Sequence, residues 1–174
     1  MGNTMNYDFK EHKHRYSVWT SARAVQRSFT TTSKISSAID ATSLRNFSET
    51  INHLDQKTFD DQHKEWCNTI IAHFKKEDII CSYGRAAKII AIYLKTSLIM
   101  TANGESDIHR LIHPPIDSIL LISLSNSNDL KDLKTKRWTN FNQEDYWNLV
   151  ERIREYFKSF DWTLEAHWKP ERDI

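Results

Sequence analysis

Residues 82–100 read SYGRAAKIIAIYLKTSLIM, the longest apolar pattern in the chain. Ser82 is a favourable N-cap, no proline follows until Pro114, and no glycine lies between Gly84 and Gly104, so the spacing predicts one helix over about 82–101. Apolar residues (Ala86, Ala87, Ile89, Ile90, Tyr93, Leu94 and Leu98 among them) fall on nearly every side of it. A helix apolar all round is one enclosed by other helices rather than lying on a surface. Lys95 stands out in that setting, with Ala91 and Ile92 one turn before it and Leu98 and Ile99 one turn after. An amine held there without a partner is a nucleophile toward carbon; one that reaches solvent is only a surface charge.

The next apolar segment reads HPPIDSILLISL, from His113 to Leu124. Pro115 keeps Pro114 extended and stiffens the approach to a second helix, with Asp117 near its first turn. A carboxylate there serves as an N-cap, and a lysine in an apolar helix a short way upstream gives it a second use.

The Pro115-Ile116-Asp117 pattern followed by an apolar helix resembles the catalytic aspartate segment of DNA glycosylases of the helix-hairpin-helix superfamily. The helix bearing IIAIYLKTSLIM resembles the lysine-bearing segment of the archaeal 8-oxoguanine glycosylase type. That resemblance, over about 40 of the 174 residues, implies a helix-hairpin-helix glycosylase-like fold. It maps the amine nucleophile onto Lys95 and the catalytic carboxylate onto Asp117. The implied partner is double-stranded DNA with a flipped-out base, damaged or modified. The family hairpin carries a glycine-rich turn before the aspartate, whereas residues 101–113 hold only Gly104, so the hairpin is expected to be remodelled. A second resemblance, to small bacterial proteins sharing the HRY, YGRAAK and HPPID stretches, implies a role against phage carrying modified bases.

Length and composition fit a single helical domain over 1–174: 39% hydrophobic residues, with 6 Trp, 6 Tyr and 8 Phe for a core. Only 3 Gly and 3 Pro disfavour a fold rich in tight turns, and both glycine-rich phosphate-loop patterns are missing. The fold class expected is therefore mostly α, in one compact multi-helix domain. Cys67 and Cys81 form no CxxC pair, which reads as reduced thiols in a cytoplasmic protein. No membrane span and no cofactor motif is expected. His12 with His14, and His109 with His113, each offer two nitrogens, but neither pair has a matching cysteine cluster, so no metal is expected.

Net charge is +1, yet basic residues cluster locally. Expected DNA contacts are Arg23 and Arg27 on the first helix, Tyr83, Arg85 and Lys88 at the start of the 82–101 helix, and His113 in the loop before Asp117. The first helix is expected over 11–28, with Tyr16, Trp19, Ala22, Val25 and Phe29 as its core stripe. A short helix is expected near 34–41. Thr58 with Asp61 is the expected capping box of a packing helix running to Lys76, and Asn142 with Asp145 that of a last long helix to Phe157. The aromatic DWTLEAHW tail is expected to dock on the body. A non-catalytic helical module binding nucleic acid or protein is the competing reading, requiring only the basic faces and the aromatic content.

Overall fold

The computed structural model describes residues 6–25, 28–51, 53–104 and 106–170, and every regular element among them is helical. Seven α-helices run Phe9–Val25 (α1), Thr32–Asp40 (α2), Leu44–Thr50 (α3), Gln56–Lys75 (α4), Tyr83–Leu94 (α5), Ser118–Leu124 (α6) and Gln143–Phe157 (α7). Short 3-10 turns at Asp107–Leu111, Asn128–Thr135, Trp138–Asn140 and Trp162–His167 fill the spaces between them. None of the described helices is long and apolar enough to cross a membrane.

The expected central helix is α5: Ser82 caps it by accepting from Arg85 N, and ten of its twelve residues are buried. It packs against α1, α4, α7 and the Trp138–Asn140 turn. The α-helical part is shorter than the sequence predicts, because residues Lys95–Ile99 form a π-helical turn. There Thr96 Oγ1 takes the Ile92 carbonyl at 2.9 Å and Thr101 Oγ1 that of Ser97, while Met100 N bonds back to Lys95 O. Hydroxyls competing for backbone carbonyls loosen the α ladder into the wider register.

The face of α1 turned to the core is not the aromatic stripe. His14, Ser17, Val18, Ser21, Ala22 and Val25 are buried, whereas Tyr16 and Trp19 stand in solvent. Ser17 and Ser21 satisfy their hydroxyls on the carbonyls of Lys13 and Ser17, at 2.8 and 2.7 Å, so they pack as small residues that let α1 lie on α5. His14 Nδ1 meets the Tyr93 hydroxyl at 2.8 Å, and Thr20 meets Thr96 at 3.0 Å, along the same seam.

Two N-termini refine the expected caps. Helix α4 begins one turn early: Asp55 accepts from Thr58 N at 2.7 Å, and Asp61 instead pairs with Lys57 and Lys64. The Asn142–Asp145 box at α7 is formed in both directions. Burial pushes the Cys67 thiol well up and Cys81 to about 12, so neither offers a thiolate.

Candidate active site

Asp117 caps α6 through Oδ1, which accepts from Leu120 N at 2.9 Å. The whole run Ile112–Ile116 before it is buried, so the carboxylate stands on a segment fixed by both packing and prolines. Its other oxygen, Oδ2, accepts from Lys88 Nζ at 3.3 Å and from Trp168 Nε1 at 3.0 Å. Lys88 is 8% exposed, and its ammonium also lies 4.5 Å from the centre of the Trp138 ring. A lysine this deep needs a carboxylate or an aromatic face, and here it has both.

Lys95 sits two turns further along from Lys88. It does not meet Asp117; its ammonium pairs with Glu165 and lies 5.5 Å from the Trp168 ring. Trp168 is therefore the shared neighbour, bonded to Asp117 and packed on Lys95. The result is two lysine–carboxylate pairs around one indole, drawing residues from α5, the π turn, the start of α6 and the 162–168 segment. Lys95 also lines a cavity of about 530 Å3 whose walls include Tyr7, Phe9, Tyr16, Ile92 and Met100.

Of the residues expected to touch DNA, Arg23 is exposed and Arg85 is half-buried over the Phe29 ring at 4.9 Å. Arg27 lies outside the described residues. Tyr83 is buried and its hydroxyl accepts from Trp147 Nε1 at 2.9 Å, a packing role in place of the expected surface one. Lys88 turns inward as described. Glu165, Trp138 and Trp168 were not anticipated as site residues. The Trp168–Asp117 bond has no local sequence signal, because 51 residues separate the partners.

His113 is 1% exposed and belongs to a second polar cluster, in the core between α4 and α7. Its Nε2–H donates to Asp60 Oδ1 at 3.2 Å, leaving Nδ1 to accept from the Tyr146 hydroxyl at 3.0 Å. Arg154 grips Asp60 with two nitrogens at 2.7 and 2.9 Å, and Gln56 adds a third donor. Burial works to raise the Asp60 pKa, but the hydrogen bonds of His113 and Arg154 outweigh it and hold the carboxyl far below its usual range. His63, stacked on Tyr146 and 4.6 Å from the His113 ring, is wholly buried. Burial depresses both imidazoles, with the Asp60 carboxylate opposing that effect at each.

A pH dependence of stability follows. Both histidines are neutral when folded and take up a proton near pH 6.5 when unfolded. Their contribution is complete above that value and declines as pH falls toward the depressed folded values, by up to about 1.4 kcal/mol per pH unit for each. The Asp60 contribution is present above about pH 4, the ordinary carboxylate range, and is lost only in stronger acid. Urea midpoints should fall steadily from pH 7 to pH 5.5, and His63→Phe should flatten that slope. A midpoint unchanged or rising over the same interval would contradict the assignment.

Among the described residues, no group of three or more His, Cys, Asp or Glu side chains is placed to hold a metal ion. No family model matches the chain, and neither does any curated protein or solved structure.

Proposed function

We propose that the chain is a DNA glycosylase of helix-hairpin-helix type. In this reading the hairpin is remodelled into the turn at 101–104 and the Asp107–Leu111 helix, and the substrate is a damaged or modified base. The observation that carries it is the buried Lys88–Asp117 pair between Trp138 and Trp168: an amine and a carboxylate 3.3 Å apart, walled by aromatic rings. The sequence resemblance assigns the nucleophile to Lys95. The geometry favours Lys88, because that is the amine which Asp117 touches, while Lys95 and Glu165 form the second pair.

A base stacked in DNA is out of reach until it is flipped out, and its glycosidic bond breaks through a sugar with oxocarbenium character. The Asp117 carboxylate stabilises that cation electrostatically. It is also the base nearest Lys88, placed to accept the proton that the ammonium must lose. Nζ then bonds C1′ as the C1′–base bond breaks, its electron pair leaving with the base, which takes the proton Asp117 had accepted and so restores the carboxylate as the sugar cation develops. The secondary ammonium so formed gives one proton to Asp117, which passes it to O4′ as the C1′–O4′ bond opens, leaving the protonated Schiff base, which water hydrolyses or which undergoes β-elimination of the 3′ phosphate.

Borohydride trapping on DNA carrying oxidised, alkylated or phage-type modified bases tests this directly. A covalent adduct should form with the wild type and with Lys95→Ala, and should vanish in Lys88→Ala. Abasic sites without an adduct, abolished in Asp117→Asn, would reassign the chain to the water-using, monofunctional form. DNA bound with no base released from any substrate would favour the non-catalytic binding module.

A further inference from the structure

The solvent face of α1 carries His12, Tyr16, Trp19 and Arg23, spaced four, three and four residues apart and so aligned along one stripe. Tyr16 and Trp19 are 52% and 50% exposed, with their rings stacked at 5.7 Å between centroids and 27° between planes. Tyr7 and Phe9 extend the exposed aromatic surface at the helix start. Large rings collected in water on one helix mark a surface built to be covered.

The charge around those rings says by what. Helix α1 carries Lys10, Lys13, Arg15 and Arg23 against Glu11 alone. Lys13 is a near neighbour of Tyr16 in sequence on the helix, and Arg23 lies one turn beyond Trp19. Rings interleaved with cations suit a polyanion that presents flat aromatic units, namely an unpaired nucleic-acid strand. A duplex keeps its base faces stacked on each other, so it has nothing to lay on Tyr16 and Trp19. The stripe is also continuous with the cavity that Lys95 lines, since His12 and Tyr16 contribute to both and Lys13 lies beside them in the cavity wall.

We infer that this stripe binds a single-stranded segment of nucleic acid, with bases stacked on Tyr16 and Trp19 and phosphates held by Lys13 and Arg23. This binding stands independently of the excision reading above.

Fluorescence anisotropy with a labelled oligothymidine of about ten nucleotides, within the usual span of such stacking surfaces, and with a duplex of the same length, tests the inference. The single strand should bind more tightly than the duplex. Trp19→Ala should weaken single-strand binding about tenfold, the scale of one lost stacking contact, while Trp19→Phe keeps most of it. Far-UV circular dichroism checks that α1 stays folded, as a solvent-facing substitution should allow. Binding is read directly and needs no base release, which separates this result from failure of the catalytic reading. Equal affinity for both DNA forms with no effect of Trp19→Ala would overturn the inference. So would oligothymidine binding that is unaffected while Trp19→Ala abolishes self-association in sedimentation, an outcome that gives the stripe to a second copy of the chain.

Discussion

Asp117→Asn should leave the protein folded and reduce base release by about a hundredfold to a thousandfold, the usual scale when one charge-stabilising group is removed from a reaction centre. Asparagine is as good an N-cap as aspartate, so with its amide oxygen in the Oδ1 place the bond from Leu120 N survives, while its amide nitrogen takes the Oδ2 place and no longer accepts from Trp168 Nε1 or Lys88 Nζ. The charge and the acceptor facing Lys88 and Trp168 disappear together, while the cap remains. Single-turnover assays of base release, read beside a thermal melt, separate the two effects. A large fall in melting temperature with residual activity in proportion to folded protein would mean that Asp117 is a structural cap alone.

The other large effect is expected at a position with no chemistry. A Cβ added at Gly84 would sit 2.0 Å from the backbone oxygen of Trp138, and Gly84 N bonds Phe141 O at 3.1 Å, so the two segments are held in direct backbone contact. Backbone cannot swing aside as a side-chain tip does. Gly84→Ala should therefore cost about 3 kcal/mol or more, at the upper end of what overpacking does, although alanine is the better helix former. It should also shift Trp138 off the Lys88 ammonium. Chemical denaturation measures the first effect; a stability within 1 kcal/mol or so of wild type would show that the Trp138–Phe141 turn yields more easily than its contacts suggest.

Periodicity and caps were enough to read most of the architecture: the enclosed helix around Ile89 and Ile90, the Asn142–Asp145 start of α7, and the docking of Trp162 and Leu164. Face assignment on α1 failed for a physical reason. Ser17 and Ser21 count as polar by type but spend their hydroxyls on their own helix and pack as small apolar residues. Tyr16 and Trp19 count as core by type and are held at the surface.

The site was readable only in part. Asp117 announces itself through Pro115 and the apolar run after it. Its partner could not be read, since Lys88 and Lys95 both lie on the same helix and only the path of the chain between Met100 and Ile112 decides which of them reaches the carboxylate. The π turn after Leu94, which sets the direction of Lys95, has no periodic signature of its own. Glu165 and Trp168 come from the docked tail, where the sequence shows that something packs but not what it meets.

That tail has a consequence for the order in which the protein becomes competent. Helices α1 to α7 are all synthesised before Glu165 and Trp168, yet Lys95 gains its carboxylate and Asp117 its indole donor only from those two residues. A nascent chain still short of residue 168 therefore lacks the partners that complete the Lys95 and Asp117 pairings. Fragments ending before the tail are expected to be inert, and supplying 160–174 as a separate peptide is the natural way to switch them on.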